Sequence, residues 1–267
     1  MITQLRYSNT NTYLISGEKG SVLFDTGWAG TFPLLCRALG ESRLRLQDIS
    51  CVVISHFHPD HMGIAQQIAD NGAFIAVCDV QLGHIHDSDS IFERDKRSGF
   101  VPIDDGNVKV ISAAQSRQFL KELGINGEVI HTPGHSDDSI SLWLDDEKTL
   151  FVGDLPPLYE LELYKGTQVW ESWQKLLALK PEKVCYGHAK TADLTGKTEN
   201  RRIPDNTDVH ALVKKITKLV DKGCDEGTIA AKTGADAAFI RDVSRMYVTH
   251  PGVSVQGILD RIEIKDK

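Results

Sequence analysis

The stretch VVISHFHPDHMG (residues 52–63) places three histidines and one aspartate within six positions, directly after an apolar run. His56 and His58 are two residues apart, so an extended backbone would project both side chains to the same face. Asp60 and His61 are adjacent, and they lie where a helix predicted over residues 62–70 begins. Because adjacent residues leave a helix start in different directions, the pattern favours two neighbouring metal ions, one on each pair.

The competing interpretation of this stretch is a polar loop that happens to be rich in histidine. A single histidine is more often structural than a metal ligand, but four imidazole and carboxylate groups at strand-to-helix spacing favour the metal site. His84 and His86 have the same spacing of two. No β-branched strand precedes them, and their acidic neighbours indicate a solvated helix or loop over Gln81–Asp95.

Three later apolar runs each end in a residue of the same chemical type. His135 follows the run that contains His131 and a Pro-Gly turn, Asp154 follows Leu-Phe-Val-Gly, and His188 follows Val-Cys-Tyr-Gly. His131 itself lies inside a predicted strand, where a hydrogen-bonded structural role is favoured. Sites in α/β proteins are usually built at strand ends. The predicted ligand set is His56, His58, Asp60, His61, His135, Asp154 and His188.

An earlier strand, SVLFD (residues 21–25), also ends in a carboxylate, Asp25, which is followed by Thr-Gly. An aspartate at a strand end can cap a turn, or it can lie behind a metal ligand and orient it. The spacing alone leaves both roles open.

Composition limits the class of protein. The 267 residues are enough for one large domain, or for one domain with a small appendage, and the hydrophobic share of 41% is that of an ordinary globular core. The net charge of −7 argues against a surface that binds polyanions, so a small-molecule substrate is expected and no nucleic acid partner.

Cysteine usage and hydropathy predict the compartment. The five cysteines are odd in number, widely spread and without a C-x-x-C pair, which is typical of free thiols in a reducing compartment. The first residues show no basic segment followed by an apolar one. No apolar run approaches the ~20 residues of a membrane span. A cytoplasmic protein without a membrane partner is therefore expected.

Taken together, the motifs resemble those of the metallo-β-lactamase superfamily of metal-dependent hydrolases. The matching segments are H-x-H-x-D-H at 56–61, T-P-G-H at 132–135, G-D at 153–154 and G-H at 187–188, with NTYLI at 11–15 and FDTG at 24–27 similar to that family's opening hairpin. The resemblance covers about residues 1 to 190. It implies an α/β fold, a four-layer αββα sandwich with the metal site at one edge between two sheets.

The resemblance also implies a distribution of the ligands. The first metal would be bound by His56, His58 and His135, and the second by Asp60, His61 and His188. Asp154 would bridge both ions, and Asp25 would orient a ligand from behind. One departure is Asp138, at a position where relatives often have glycine, and it leaves the shape of that loop open.

The chain after residue 205 differs in character. An apolar stripe at helical spacing begins at Val209, and two short helices around a glycine turn are predicted between Thr228 and Met246, in an order that superficially resembles a helix-turn-helix. From Asp208 onward there are ten Lys/Arg and nine Asp/Glu, which is a poor phosphate-binding surface. Residues 1–205 are therefore predicted to form the hydrolase domain, and 206–267 a mainly helical extension that caps the site or forms a homodimer.

The predicted function is that of a binuclear metal-dependent hydrolase. A hydroxide bridging two divalent ions, zinc before iron or manganese, would attack a small ester-like substrate, either a thioester or a lactone. Asp60 is also predicted to relay a proton to the leaving group, and Tyr159 to contact the substrate.

Two alternatives remain open. One is a phosphodiesterase or nuclease of the same fold, which the acidic charge and the lack of a large insertion between His135 and His188 disfavour. The other is a non-catalytic ligand-sensing regulator, which the seven intact ligand positions disfavour.

Overall fold

Two β-sheets form the centre of the fold in a computed structural model that describes residues 1–94, 98–195, 209–235, 237–249 and 252–259. The first sheet has six strands that neighbour one another in chain order: β1 (Ile2–Leu5), β2 (Thr12–Ser16), β3 (Ser21–Phe24), β4 (Cys51–Val53), β5 (Phe74–Cys78) and β6 (Val108–Ile111). The second has five, β7 (Gly127–His131), β8 (Ile140–Leu144), β9 (Thr149–Phe151), β10 (Lys183–Cys185) and β11 (Ala192–Asp193), in the order β11-β10-β9-β8-β7.

Helices connect the strands and continue after them. The α-helices are α1 (Phe32–Glu41), α2 (Pro59–Met62), α3 (Ala65–Ala69), α4 (Asp89–Glu93), α5 (Ser116–Glu122), α6 (Gln168–Ala178), α7 (Val209–Asp221), α8 (Glu226–Thr233) and α9 (Ala237–Thr249). Short 3-10 segments cover Leu46–Asp48, Asp79–His84, Asp105–Asn107, Ala113–Gln115 and Leu158–Tyr164.

Strand direction brings the chain's candidate residues to one edge. In the first sheet, β3, β4, β5 and β6 are mutually parallel, so the loops that follow them leave from the same side. In the second sheet, β8 is antiparallel to both β7 and β9, and β9 is parallel to β10, so β7, β9 and β10 point the same way. The segments that carry the predicted ligands are those that follow β4, β7, β9 and β10.

Alternating side chains explain the layers. In β3, Val22 and Phe24 belong to the core between the two sheets, where they meet Leu142 of β8 and Phe151 of β9. Leu23 points to the opposite face and belongs to a second core. The helical side chains of that second core include Leu35, Ala38 and Leu39 from α1 and Ala65, Ile68 and Ala69 from α3. This period of two is what a sheet buried on both faces requires.

Helix α6 supplies the helical layer beside the second sheet. Its Val169, Trp173 and Leu176 are buried. The Trp173 ring lies 6.3 Å from the ring of Tyr186, just after β10, and its indole N–H donates to the carbonyl of Pro156. The arrangement confirms the predicted four-layer αββα sandwich.

The segment around the histidine motif differs from the prediction in two ways. Strand β4 ends at Val53, so His56 and His58 lie in the following loop and not in the strand. The helix predicted over 62–70 is divided into α2 and α3 at Gly63, whose N–H donates to the carbonyl of Gly27. A Cβ at residue 63 would lie 2.2 Å from the backbone nitrogen of Ala29, so only glycine permits this close approach.

The C-terminal region forms a unit of its own. Contacts divide the chain into Met1–Pro156 with Leu161–Thr195, and a second unit made of Pro157–Glu160 and the described part of Gly196–Lys267. The predicted boundary at residues 205 and 206 lies outside the described residues. Within the second unit α7, α8 and α9 share an apolar core formed by Val213, Ile216, Leu219, Ile229, Ile240, Val243 and Ile258.

The helical prediction for this region is confirmed. Gly234 ends α8 in the left-handed conformation, with φ of +73°, and its N–H donates to the Ala230 carbonyl as a helix C-terminus requires. Among the described residues, none of the helices is long and apolar enough to cross a membrane.

Candidate metal centre

The loops after β4, β7, β9 and β10 bring all seven predicted ligands together. Among the described residues, three sets of side chains have ligand atoms within 4.8 Å of one another: His56, His58 and His135; His56, His61 and Asp154; Asp60, His61 and His188. The sets share members, so they describe one continuous cluster with two lobes.

The first lobe consists of three ring nitrogens. Nδ1 of His58 lies 3.0 Å from Nε2 of His56 and 3.2 Å from Nε2 of His135. His56 is buried, whereas His58 and His135 are exposed, so the lobe opens to solvent on one side. Three imidazole nitrogens converging on one point form the protein ligand set of an open catalytic metal site.

The second lobe combines imidazole and carboxylate groups. Oδ2 of Asp60 lies 2.9 Å from Nε2 of His188 and 3.7 Å from Nε2 of His61. On the other side of its ring, Nδ1 of His188 donates to the Asn9 carbonyl at 2.9 Å. That hydrogen bond directs the Nε2 lone pair towards the cluster.

Asp154 lies between the two lobes. Its Oδ1 is 3.3 Å from Nε2 of His61 and 3.5 Å from Nε2 of His188. Its Oδ2 faces the first lobe, 3.6 Å from Nε2 of His135 and 4.0 Å from Nε2 of His56. One carboxylate therefore offers a different oxygen to each lobe, which is the geometry of a bridging ligand.

Two buried atoms test whether the cluster suits a cation. Among the described residues, neither Nε2 of His61 nor Oδ1 of Asp154 has a hydrogen-bond partner, although both are buried. Such atoms are costly unless something satisfies them, and a divalent ion would satisfy both. Gly187 leaves the space: a Cβ there would lie 2.6 Å from Oδ1 of Asp154. The residues present fit a metal centre.

Asp25 lies behind the second lobe. Its Oδ2 accepts a hydrogen bond from Nδ1 of His61 at 2.9 Å, and its Oδ1 accepts from the Ser55 N–H at 2.7 Å. Asp25 is 1% exposed and has a φ of +62°, which a non-glycine residue adopts only when its surroundings hold it there. Of the two roles that the sequence left open, this geometry corresponds to orienting a ligand.

The histidines of the cluster differ in how readily they hold a proton. Burial lowers the pKa of His56 well below its ordinary value, and the positive charge on His61 acts in the same direction. Burial also lowers the pKa of His135. Burial opposes the charged form of His61 as well, but the carboxylates of Asp154 and Asp25 outweigh it and raise its pKa well above the ordinary value.

The carboxylates show the complementary behaviour. Burial alone would raise the pKa of Asp154, yet the nearby positive charge of His61 holds that pKa well below the usual range. Burial likewise opposes ionisation of Asp60, and its hydrogen bond to His188 still lowers the pKa. Burial would lower the pKa of His188, but the same bond raises it. The cluster thus offers ionised carboxylates to a cation.

Buried hydrogen bonds from Asp138 and Gln81 join the two loops that carry the first lobe. Asp138 is 4% exposed, and its Oδ2 accepts a hydrogen bond from the N–H of Phe57 at 2.7 Å. The Gln81 amide donates to the carbonyls of Ile54 and Asp138, at 3.0 and 3.1 Å. Asp138, whose effect on the loop the sequence left open, therefore fastens the turn that bears His135 to the histidine motif.

Gln81 corrects one expectation. The region Gln81–Asp95 was predicted to be solvated, but Gln81 is completely buried, and Ser88 is buried with its hydroxyl donating to the carbonyl of Phe57. Asp95 lies outside the described residues. This glutamine carries no sequence signal of burial, because its partners are backbone carbonyls that are distant in sequence.

The remaining candidates lie outside the cluster. His84 and His86 are hydrogen-bonded to the nearby aspartates Asp87 and Asp89, as expected for a solvated segment. The ring of His131 is hydrogen-bonded to the carbonyl of Asp137, which confirms a structural role. Tyr159 belongs to the second unit and is 44% exposed, so its contact with a substrate stays a prediction.

Comparison with known proteins establishes the family. A sequence profile described as the metallo-beta-lactamase superfamily matches residues 5–188, more than half of the chain. The chain belongs to the metallo-β-lactamase superfamily. A solved structure of a metallo-beta-lactamase family protein from Thermus thermophilus superimposes with a TM-score of 0.58 over 82% of this chain and 83% of that protein. At 21% identity, this similarity shows the fold alone.

Curated relatives of this superfamily member are similar over part of their length. The lactamase-like protein ptaB of Pestalotiopsis fici is 33% identical over 54% of this chain and 39% of its own. An atrochrysone carboxyl ACP thioesterase of Aspergillus terreus is 30% identical over 84% of this chain and 64% of its own. The chain thus spans less than two thirds of the length of these relatives.

Proposed function

We propose that this protein is a binuclear metal-dependent hydrolase of a small thioester. The observation that carries the proposal is Asp154, whose two carboxylate oxygens face different lobes of one cluster. In this proposal one divalent ion would be held by His56, His58 and His135, the other by Asp60, His61 and His188, and Asp154 would contribute to both. Zinc is the expected ion because imidazole and carboxylate groups are among its usual ligands, and iron or manganese are the alternatives.

The chemistry requires both the ions and the chain's own groups. When bound, two such ions lower the pKa of water towards ~7 and polarise a carbonyl oxygen, so no protein nucleophile is needed. The side chain of Asp60 is 19% accessible, and its Oδ2 lies 2.9 Å from Nε2 of His188. Asp60 is therefore positioned to pass a proton from the attacking water to the leaving group as well as to bind metal.

The substrate class rests on the relatives. The superfamily profile matches the part of the chain that carries the cluster, and relatives at about 30% identity include proteins named thioesterases. Among the two ester-like substrates expected from the sequence, the thioester is thus preferred to the lactone. A cytoplasmic location and a homodimer remain parts of the proposal.

A substrate panel tests this function. The protein is purified without chelators, its metal content is measured, and turnover of a thioester, a lactone and a phosphodiester is followed. We expect two divalent ions per chain and turnover of the thioester with little on the phosphodiester. Turnover of the phosphodiester alone would favour the nuclease alternative, and turnover of none of them, despite full metal content, would favour a ligand-sensing regulator.

A further inference from the structure

Ser55 directly precedes His56 and is at the centre of a buried hydrogen-bond network behind the cluster. Ser55 is 1% exposed, and its hydroxyl oxygen lies 2.9 Å from Oδ2 of Asp25. The same oxygen is 3.0 Å from Nδ1 of His56 and 3.3 Å from Nδ1 of His61. One hydroxyl thus contacts a ligand from each lobe and the carboxylate behind them.

The count of protons in this network assigns a direction to each hydrogen bond. A serine hydroxyl has one proton to donate, and an ionised carboxylate can only accept. The Ser55 hydroxyl donates to Asp25, so towards His56 it acts as an acceptor. A neutral His56 then carries its proton on Nδ1 and its lone pair on Nε2, the atom that faces the cluster and lies 3.0 Å from Nδ1 of His58. His61 donates from Nδ1 directly to Asp25.

We propose that Ser55 is a positioning residue that sets the tautomer of His56, so that Asp25 orients one ligand of each lobe, His61 directly and His56 through Ser55. The inference rests on the metal centre of the proposed function and adds a residue to it. A wrong tautomer would place a proton on Nε2 of His56, where a cation has to bind.

The backbone around Ser55 is shaped for this hydroxyl. Gly153, next to Asp154, has a φ of +54°, and a Cβ at that position would lie 2.5 Å from Oγ of Ser55. A side chain at residue 153 would displace the hydroxyl. The loop that carries the bridging carboxylate therefore encloses the network from the second sheet, as the segment after β4 does from the first.

The tautomer can be read directly in the metal-free full-length protein. Two-bond ¹H–¹⁵N correlation spectra near pH 7 distinguish an Nδ1 proton from an Nε2 proton. We expect the Nδ1 form in the wild type and a shift of the His56 population towards the Nε2 form in Ser55→Ala. His61 should retain its Nδ1 proton, because its bond to Asp25 does not pass through Ser55.

Matched variants separate the effect of the Ser55 hydroxyl from the effect of the volume of its side chain. Ser55→Thr and Ser55→Val have the same shape, so Thr should keep the wild-type tautomer and Val should lose it, even if Ser55→Ala folds poorly. Ser141→Ala removes a hydroxyl that is equally buried, on β8, where it contacts Oγ1 of Thr132, and it should change nothing at His56.

A second readout is metal affinity. Loss of an outer hydrogen-bond partner typically costs about 10–100-fold in metal affinity. We expect a loss of this size in Ser55→Ala and Ser55→Val, confined to the ion that His56 binds. An Nδ1 proton on His56 in both variants, or unchanged affinity, would overturn the inference. A Ser55-dependent tautomer in a protein without thioesterase activity would instead support it and count against the proposed function.

Discussion

Among single residues, Asp154 leads to the most specific prediction about metal binding, because each of its two carboxylate oxygens faces a different lobe of the cluster. Asp154→Asn keeps the side chain's size but removes its charge and leaves one oxygen. We expect both steps of a calorimetric metal titration to weaken, each by more than the ~10–100-fold that outer partners cost. His131→Ala is the control, since that histidine is hydrogen-bonded to a backbone carbonyl outside the cluster. Weakening of one step alone would show that Asp154 does not bridge.

Asp60 is expected to transfer a proton during the reaction as well as to bind metal. In Asp60→Asn the side chain can still contact an ion but no longer takes up and releases a proton. We predict that kcat falls by at least ~100-fold under metal saturation, the usual contribution of a positioned acid or base. Metal content is measured on the same sample. Full turnover with both ions bound would refute the proton relay.

The seven candidate ligands could be predicted from the sequence because each stands directly after an apolar run, and strand ends converge. The residues that support these ligands from behind could not be predicted in this way. Ser55 had one weak signal, a polar residue between Ile54 and His56, but its partner Asp25 lies 30 residues away. Gln81 and Asp138 act through backbone groups, which no side-chain pattern reveals.

Between elements, the hydrogen bond from the N–H of Phe57 to Asp138 connects the loop after β4 with the turn after β7. Asp138→Ala leaves that N–H buried without its acceptor, and we expect the free energy of unfolding to fall by about 1–3 kcal/mol. Chemical denaturation measures this change in the free energy of unfolding. Asp138→Asn, which retains an oxygen acceptor, should recover most of the loss. The neighbouring Asp137 is exposed, so a fall of equal size in Asp137→Ala would rule out the specific contact.

Most elements follow from local patterns, and the failures have causes that a local pattern does not reveal. The strands at 12–16 and 21–24 match the runs 11–15 and 21–25 of the sequence analysis to within a residue at each end. The predicted helix over 62–70 failed because Gly63 packs against the backbone of Gly27 and Ala29, segments that are distant from it in sequence. Strand β11 has two residues, too few for a hydrophobic period to register.

For the whole molecule, metal binding should be coupled to stability, because the cluster joins loops from both sheets. An ion at a thousandfold excess over its Kd stabilises the folded state by about 4 kcal/mol. For a chain of this size each kcal/mol corresponds to roughly 2–4 °C in Tm. Removing metal with a chelator should therefore lower Tm by at least ~8 °C, and added zinc should restore it. An unchanged Tm would contradict binding at the cluster.

The arrangement of two sheets around one site could be predicted from the family resemblance and from the polar residues at the strand ends, and the structure confirms it. The division of the chain could be predicted only as a change in character near residue 205. Pro157–Glu160, which groups with the C-terminal unit, carries no such signal because it lies between two segments of the first unit.

The most direct test of the central claim is thioester hydrolysis by metal-free protein as a function of added zinc. The proposed centre predicts no turnover without metal, and activity that rises and reaches its plateau at two equivalents per chain. Turnover in the absence of metal, or a plateau at one equivalent, would contradict a binuclear hydrolase.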